Sequence, residues 1–261
     1  MKNRGLTNHR RSGTPLVFAH RGASSQAPEN TLAAFRLARE LGTDGVELDI
    51  HLCATGELVV VHDESLLRTG GIDLPIRTSP LSALREHSVG GWFHDQFASE
   101  RIPLLDEALD VLGPEQLIDI EIKPPGIRLG KALPGSVEEV LATWIERRGV
   151  SDRVVVSSFD PLVVRRFGRI APSVSRGVIY VNAPELPRML RKGFGRVISG
   201  ADVLKPHFAQ ADHKTLARAN RRGRLVFAWT VDKPDEAVAL SVAGVDGLIT
   251  NRPAEIKAAI A

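Results

Sequence analysis

Short apolar runs rich in β-branched residues alternate along the chain with segments of helical pattern, and this alternation limits the possible folds most strongly. Eight runs are predicted as barrel strands, at residues 16–19, 45–50, 117–122, 153–157, 175–180, 201–204, 225–229 and 246–250. Helical segments are predicted at residues 30–41, 104–112, 136–148, 184–192, 215–222, 234–242 and 253–260, and from residue 160 onward. Eight strands alternating with eight helices give the count of a TIM (β/α)8 barrel, and 261 residues is a common length for one.

Alternation alone would also suit a doubly wound α/β sheet. A sheet of that kind with a dinucleotide site needs a glycine-rich turn of fixed spacing after its first strand. Here the first run is followed by His20-Arg21-Gly22-Ala23, which lacks that spacing. The sequence therefore predicts the α/β class and, within it, the barrel.

One region interrupts the alternation after the second strand unit. A further β run at residues 58–61 is reached through the turn residues Thr55-Gly56-Glu57, and the segment after it has no strand–helix rhythm. We interpret residues 63–102, approximately, as a small insertion in a single TIM-barrel catalytic domain that spans residues 14–261.

The N-terminal segment and the cysteine content bear on the compartment. Residues 1–13 are predicted to be a flexible basic tail, and no apolar stretch long enough for a signal peptide or a membrane span follows them. Cys53 is the only cysteine, so an internal disulfide is impossible, which fits a reducing compartment. We expect a cytoplasmic protein without a transmembrane segment. Peripheral contact with lipid stays open, and the sequence does not indicate the oligomeric state.

The basic residues are clustered, although the formal net charge is only +3. Arginine-rich stretches occur at residues 147–148, 165–166, 188–196 and 218–224, where surface helices or their ends are predicted. We interpret them as solvated helix faces rather than as an anion-binding surface. Aromatic residues do not interleave with these arginines, so stacking on bases gains no support and nucleic acid is not an expected partner.

Polar side chains collect where the predicted strands end, which is where barrel enzymes carry their chemistry. Glu47 and Asp49 are two residues apart and therefore share one face of their strand, and the same holds for Glu121 and Lys123. Three carboxylates that converge from adjacent strands would repel one another unless a cation lay between them. Hard oxygen ligands suit Mg²⁺ or Ca²⁺, with Mn²⁺ also compatible.

The same strand ends carry cationic and imidazole groups. Arg21 and Lys123 are suitable donors to phosphate oxygens, although they could instead simply pair with the carboxylates. His20 and His62 are the candidate proton-transfer groups, because imidazole is poised for this near neutral pH. His51 has the parity of Asp49 and is predicted to support the site.

These residues and several later segments resemble the glycerophosphodiester phosphodiesterase family, a group of barrels similar to phosphatidylinositol phospholipase C. The resemblance runs from about residue 15 to the C-terminus. It is carried by His20-Arg21-Gly22, Pro28-Glu29-Asn30-Thr31, Glu47-Leu48-Asp49, His62-Asp63, Ile102-Pro103-Leu104-Leu105, Glu121-Ile122-Lys123, Ser157-Ser158-Phe159, Trp229-Thr230-Val231-Asp232, Gly244-Val245-Asp246-Gly247 and Thr250-Asn251-Arg252-Pro253.

The resemblance implies a phosphoric diester hydrolase that converts glycerophosphodiesters to glycerol 3-phosphate and an alcohol. It implies one divalent cation bound by Glu47, Asp49 and Glu121, and general acid–base catalysis by His20 and His62. It also implies that Arg21 and Lys123 hold the phosphate and that Trp229 lines the pocket. A small-molecule phosphodiester is then the expected partner.

Some points stay open at the level of sequence. The hairpin reads Cys53-Ala54-Thr55-Gly56 where family members commonly have Thr-x-Asp-Gly, and the insertion is compact, so the released alcohol is undetermined. The sequence does not decide whether the attacker is water or a neighbouring glycerol hydroxyl. It also does not assign the acid and base roles between His20 and His62. Two alternative functions are a lysophospholipase D-type or other lipid phosphodiesterase on the same barrel, and a non-catalytic anion-binding module.

Overall fold

The computed structural model describes residues 13–123, 130, 132–184 and 194–261. Eight parallel strands close into a barrel, which confirms the predicted TIM-barrel class, because the first strand pairs with both the second and the last. A ninth strand, β3, pairs antiparallel with the end of β2. The strands are β1 (Leu16–His20), β2 (Gly45–Leu52), β3 (Leu58–Val60), β4 (Leu117–Ile122), β5 (Val154–Ser158), β6 (Ser175–Tyr180), β7 (Val203–Pro206), β8 (Leu225–Ala228) and β9 (Gly247–Thr250).

The helices surround the barrel, and two short ones belong to the segment between β3 and the next long helix. They are α1 (Leu32–Glu40), α2 (Leu67–Gly70), α3 (Leu81–Leu84), α4 (Leu105–Leu112), α5 (Val137–Arg148), α6 (Pro161–Ile170), α7 (Gly195–Ser199), α8 (His213–Arg221), α9 (Pro234–Val242) and α10 (Pro253–Ile260). No helix in the described ranges is long and apolar enough to cross a membrane.

The strand period divides the barrel into an apolar outer face and a filled interior. Val46 and Leu48 of β2 lie in the large core between the sheet and the helices. The interior away from the polar end is filled by apolar side chains, among them Phe18 and Phe227 with ring centroids 5.1 Å apart. Glu47 and Asp49 point inward, between this apolar filling and the opening of the barrel, as their parity predicted.

The structure differs from the sequence prediction at β7. The predicted strand at residues 201–204 ends too early, because β7 runs from Val203 to Pro206 and so includes Lys205. Lys205 was predicted only as a polar residue at the end of that strand, whereas it is 1% exposed and pairs inside the barrel. The ion pair with Asp119, which the local sequence does not reveal, allows Lys205 to be buried, so the strand continues through this charged residue.

Two other details differ from the sequence prediction. Ser136 and Glu139 have the spacing of a capping box at the start of α5, but the box does not form. The Ser136 side chain makes no cap hydrogen bond, and Glu139 accepts instead from the Gly135 backbone N–H at 2.6 Å. Helix α7 was not predicted. The predicted helix at residues 184–192 lies outside the described residues apart from Pro184, and the predicted tail lies outside them apart from Gly13.

The interpretation of residues 165–166 as a solvated arginine pair is wrong for one member. Arg166 is 4% exposed, and its Nε donates to a Glu138 carboxylate oxygen at 2.7 Å. This pair links α6 to α5 below the surface. By contrast, Arg147 and Arg148 pair with Asp106 on α4 at the surface.

The segment between β3 and α4 packs on a small core of its own. Leu66, Ile76, Leu84 and Ile102 are buried there together with Val61, beside the hairpin formed by β2 and β3. The hairpin turn closes through the Gly56 N–H, which donates to the Cys53 carbonyl at 3.0 Å. The altered turn sequence therefore still delivers the chain to His62.

Candidate active site at the carboxyl end of the barrel

Three carboxylates meet inside the barrel at the carboxyl ends of β2 and β4. Asp49 lies directly opposite Glu121 in the parallel pairing of these strands. One oxygen from each of Glu47, Asp49 and Glu121 lies within 4.8 Å of the others, and all three side chains are buried. This is the group that strand parity predicted.

Two cations already face the cluster. Lys123 Nζ lies 2.9 Å from Asp49 and 2.5 Å from Glu121, and Arg21 Nε lies 3.3 Å from Asp49. Burial alone would raise the pKa of Asp49, but Lys123 and then Arg21 lower it well below its usual range. Asn30 also holds Asp49, because its Nδ2 donates to Oδ2 at 2.9 Å.

Glu47 is less well compensated than Asp49. Burial, followed by the charge of Asp49, raises the pKa of Glu47 well above its ordinary value, and Lys205 opposes this only in part. Burial likewise raises the pKa of Glu121, and Asp49 adds to it against the opposing effect of Lys123. Crowded buried oxygens of this kind fit a hard divalent cation, which would offset both the burial and the mutual repulsion that raise these pKa values.

His20 is the last residue of β1, and its two ring nitrogens have different surroundings. Nδ1 lies 2.7 Å from Asn251 Oδ1, whereas Nε2 lies 3.9 Å from a Glu47 oxygen. Burial lowers the pKa of His20 to about 4, with Arg21 as the next cause. The imidazole is therefore neutral near pH 7.

His62 follows the hairpin and has a carboxylate partner. Its Nδ1 lies 2.7 Å from Asp63 Oδ1, and the other Asp63 oxygen accepts from Arg68 Nε at 2.6 Å. Arg68 also binds both oxygens of Glu29, at 2.7 and 2.9 Å. The backbone carbonyl of His62 lies 3.2 Å from His51 Nε2, which places His51 as a support of the hairpin end.

Glu29 also reaches the opposite side of the site. It accepts from Arg21 Nη1 at 2.8 Å, so one carboxylate joins the Arg21 loop to the His62 hairpin. The backbone at Arg21 and Gly22 has positive φ values of 58° and 85°. A Cβ on Gly22 would lie 2.6 Å from the Ala34 Cβ, so this tight turn over α1 requires glycine.

An aromatic wall completes a cavity of about 100 Å³ at this end of the barrel. Trp229 and Phe159 pack edge to face with ring centroids 5.4 Å apart, and Trp229 Nε1 donates to the Lys205 carbonyl at 2.8 Å. The cavity lining comprises His20, Arg21, Glu47, His62, Glu121, Lys123, Phe159, Ile179, Lys205, Trp229 and Ile249. Seven of the eight predicted site residues line it, and the eighth, Asp49, lies beneath Lys123 and Arg21.

A larger cavity of about 450 Å³ lies on the flank of the barrel, between the β3 hairpin, α4 and α5. Its charged groups include Asp106 and Arg147, which pair with each other at 3.0 Å. Since the buried carboxylates and both candidate histidines surround the smaller cavity, we assign the site there.

Sequence reasoning missed a buried ion pair directly below the carboxylates. Lys205 Nζ lies 2.8 Å from Asp119 Oδ2 and donates to Ser157 Oγ at 2.9 Å. Asp119 lies two residues before Glu121 and so faces the same interior, a parity signal that was available. Lys205 was predicted as a polar residue at the end of its strand, but no local pattern pairs it with Asp119.

It also missed a polar pair beside His20. Asn251 Nδ2 donates to Asp232 Oδ2 at 2.7 Å, and the Asn251 backbone N–H donates to Asp232 Oδ1 at 2.8 Å. The two residues follow β9 and β8 and are 19 positions apart, so no local pattern joins them. Asn251 was predicted as a polar residue at a strand end, and both residues lie in segments of the family resemblance, but their pairing was not predicted.

Comparison with known proteins agrees with this geometry. A model described as the Glycerophosphoryl diester phosphodiesterase family matches residues 20–255. The chain is 35% identical over 239 residues to the glycerophosphodiester phosphodiesterase of Caldanaerobacter subterraneus subsp. tengcongensis, covering 91% of this chain and 94% of that one. It is 33% identical over 266 residues to the probable glycerophosphodiester phosphodiesterase 1 of Mycobacterium tuberculosis, covering 95% and 93%.

Solved structures show the same likeness. A phosphodiesterase of Oleispira antarctica in complex with the product sn-glycerol-3-phosphate superposes with a TM-score of 0.80 at 30% identity, covering 96% of this chain and 98% of that one. A glycerophosphodiester phosphodiesterase of Agrobacterium tumefaciens gives a TM-score of 0.78 at 26% identity, covering 94% and 99%. The fold, the buried carboxylates and these matches together show that the chain belongs to the glycerophosphodiester phosphodiesterase family.

Proposed function

We propose that the protein hydrolyses glycerophosphodiesters to glycerol 3-phosphate and an alcohol, with one divalent cation and two histidines. The observation that carries this proposal is the convergence of Glu47, Asp49 and Glu121 between His20 and His62 in one cavity. Family membership and the product complex of the Oleispira antarctica phosphodiesterase support it.

Glu47, Asp49 and Glu121 would hold the cation, for which Mg²⁺ or Ca²⁺ is the best match to three carboxylates. A bound cation would supply Lewis-acid neutralisation of the phosphodiester charge. Arg21 and Lys123 line the same cavity and would orient the phosphate oxygens through charge-assisted hydrogen bonds. Trp229 would form the apolar wall against which the substrate lies.

The two histidines have different partners, which suggests different roles. His20 is held through Nδ1 by an amide oxygen, and its Nε2 is left to accept a proton from the attacking hydroxyl. His62 is held by the Asp63 carboxylate, which orients its ring, and it would donate a proton to the leaving oxygen. Both roles apply whether the attacker is water or a neighbouring glycerol hydroxyl.

The proposal is tested by an activity screen of the purified protein. Glycerophosphocholine, glycerophosphoethanolamine, glycerophosphoglycerol and lysophospholipids are supplied with Mg²⁺, Ca²⁺ or Mn²⁺. Released glycerol 3-phosphate is measured for the glycerophosphodiesters, and released lysophosphatidic acid for the lysophospholipids. We expect release from the glycerophosphodiesters that depends on added cation and stops after chelation. Full activity after thorough removal of metal would contradict the catalytic cation, and no release from any glycerophosphodiester would contradict the substrate class.

A lysophospholipid substrate is the second candidate, and it needs an apolar groove for the acyl chain. The lining of the described cavity includes Trp229 and Phe159 but neither Trp92 nor Phe93. Trp92 and Phe93 instead pack on each other with ring centroids 5.7 Å apart. Among the described residues, the site therefore favours a small polar diester over a lipid.

A further inference from the structure

The hydrogen bonds around His20 have a fixed direction, because one member of the network, the Asp232 carboxylate, can only accept. Asp232 receives three donors: Thr250 Oγ1 at 3.1 Å, the Asn251 backbone N–H at 2.8 Å and Asn251 Nδ2 at 2.7 Å. A carboxylate that accepts from Asn251 Nδ2 fixes which end of that amide faces it. The Asn251 amide oxygen must therefore face the other way.

That amide oxygen faces His20. Asn251 Oδ1 lies 2.7 Å from His20 Nδ1 and 2.9 Å from Ser24 Oγ, which donates to it. An amide oxygen accepts and cannot donate, so the short contact requires a proton on His20 Nδ1. In a neutral ring the proton is then absent from Nε2, the nitrogen nearer the carboxylates.

We propose that Asp232 and Asn251 are positioning residues that hold His20 in its Nδ1–H tautomer, with Nε2 bare toward the cavity. Neither residue lines the cavity, and each acts through its neighbour. The inference rests on the proposed function for its catalytic meaning. The tautomer itself follows from the hydrogen bonds alone and can be measured without substrate or metal.

The first test is Asp232→Asn. An asparagine at position 232 can still accept from Thr250 and the Asn251 backbone, but its NH₂ would face the Asn251 NH₂. The Asn251 amide would turn over to avoid this, and its NH₂ would then face His20 Nδ1. We expect the His20 tautomer to invert to Nε2–H, and kcat to fall about ten- to a hundredfold with KM changed little, the range found when the hydrogen-bond partners of metal-bound histidines are removed.

The exchanged double variant Asp232→Asn/Asn251→Asp is the rescue. The asparagine at 232 would donate to one oxygen of the aspartate at 251, whose other oxygen would accept from His20 Nδ1 and Ser24. The direction of the chain at His20 is thereby restored. We expect the Nδ1–H tautomer to return and kcat to recover most of the loss.

The matched control is Asp235→Asn, the same change three residues further on at an exposed position in the first turn of α9. It removes the same charge without touching Asn251. We expect the His20 tautomer and kcat of this variant to equal those of the wild type.

The readout is the long-range ¹H–¹⁵N correlation spectrum of His20 in metal-free protein above pH 7, with the resonance identified by its loss in His20→Ala. Kinetics on a glycerophosphodiester with saturating cation follow. A wild-type His20 in the Nε2–H form, or an unchanged tautomer in Asp232→Asn, would overturn the proposal. A third outcome is possible: His20 is Nδ1–H in the wild type and inverts in Asp232→Asn, but the wild type hydrolyses no glycerophosphodiester. That result would uphold the positioning and contradict the proposed function instead.

Discussion

At the scale of single residues, chemistry here depends on what holds each side chain rather than on its type. His20 and His62 are both imidazoles at the mouth of one cavity, yet one is bound to an amide and the other to a carboxylate. The carboxylates differ in the same way, since Asp49 has two cationic partners and Glu47 has its pKa raised by burial and by Asp49. The two histidines thus differ in their hydrogen-bond partners, and the two carboxyls differ in the direction of their pKa shifts.

The division of labour between the histidines predicts a dependence on the leaving group. His62→Ala should lower kcat on an ordinary glycerophosphodiester by about a hundred- to ten-thousandfold, because an alkoxide needs a proton as it departs. On a glycerophosphodiester with a nitrophenol leaving group the loss should be much smaller, since that oxygen leaves as a stable anion. Steady-state kinetics of both substrates provide the measurement.

The control is His20→Ala, which should lose activity on both substrates because the attacker still needs a base. Equal losses for His62→Ala on the alcohol and nitrophenol esters would show that His62 is not the proton donor. Circular dichroism of each variant would exclude a general loss of folding.

The buried pair below the carboxylates predicts a stability effect. Lys205→Met should cost about 3–5 kcal/mol in the free energy of unfolding, because Asp119 then stays buried without its cation. The double variant Lys205→Met/Asp119→Leu should recover most of this loss, since position 119 then no longer carries an unpaired charge. Urea denaturation of the four proteins in the cycle gives the coupling, and a single-variant cost below 1 kcal/mol would mean that Asp119 takes up a proton or reaches water.

At the scale of elements, two pairings deliver the site. The register of β2 against β4 brings Asp49 opposite Glu121, and the β2–β3 hairpin returns the chain so that His62 faces the same opening. The short helix α2 stabilises this arrangement from the outer side through ion pairs. Its Arg68 joins Asp63 behind His62 to Glu29 behind Arg21.

This anchoring by α2 predicts an acid-dependent stability. Burial would raise the pKa values of Glu29 and Asp63, but hydrogen bonds and charges from Arg68 and its neighbours lower both below their ordinary values. Carboxyls whose folded pKa is lowered stabilise the protein above their unfolded pKa of about 4, and that contribution is lost as the pH falls through the folded pKa. The contribution is therefore complete at neutral pH.

Arg68→Met should accordingly destabilise the protein by about 1 kcal/mol at pH 7, a modest figure because Arg68 is partly solvated. The difference from wild type should begin to shrink as the pH falls below about 4, where the carboxyls of the unfolded chain take up protons. It is lost once the pH falls below the lowered pKa values of the folded wild type. Thermal unfolding from pH 3 to pH 8 measures it, with the exposed-pair variant Lys233→Met as the control. A difference that grew toward low pH would contradict the assigned direction.

At the scale of the whole molecule, the barrel interior has charged side chains at one end and apolar side chains in the rest. Phe18, Phe227 and their neighbours fill the interior below the site, so the inward-facing carboxylates cannot reach water from that side. Closing the barrel therefore forces Glu47, Asp49 and Glu121 together. The fold carries an electrostatic cost that a bound cation would relieve.

Cation binding should therefore stabilise the folded protein measurably. At a free Mg²⁺ or Ca²⁺ concentration one hundred times the Kd, linkage gives about 2.7 kcal/mol of added stability. We expect Tm to rise with cation concentration in wild type, and to rise far less in Asp49→Asn, which removes one ligand charge. Differential scanning calorimetry with and without chelator checks this, and an equal rise in both proteins would argue against binding at these carboxylates.

The sequence by itself determined the fold class and most of the site. Strand–helix alternation predicted the α/β class because each parallel crossover needs a helix, and the count of eight units favoured the barrel. Two-residue parity put Glu47 and Asp49 on one inward face because side chains alternate along a strand. Only the tertiary structure decided which groups hold those side chains. β7 continues through Lys205 because Asp119 pairs with it inside the barrel. Asn251 contacts His20 although the two residues are 231 positions apart in the sequence. Such partners come from different strand ends, and their distances exist only once the barrel has closed.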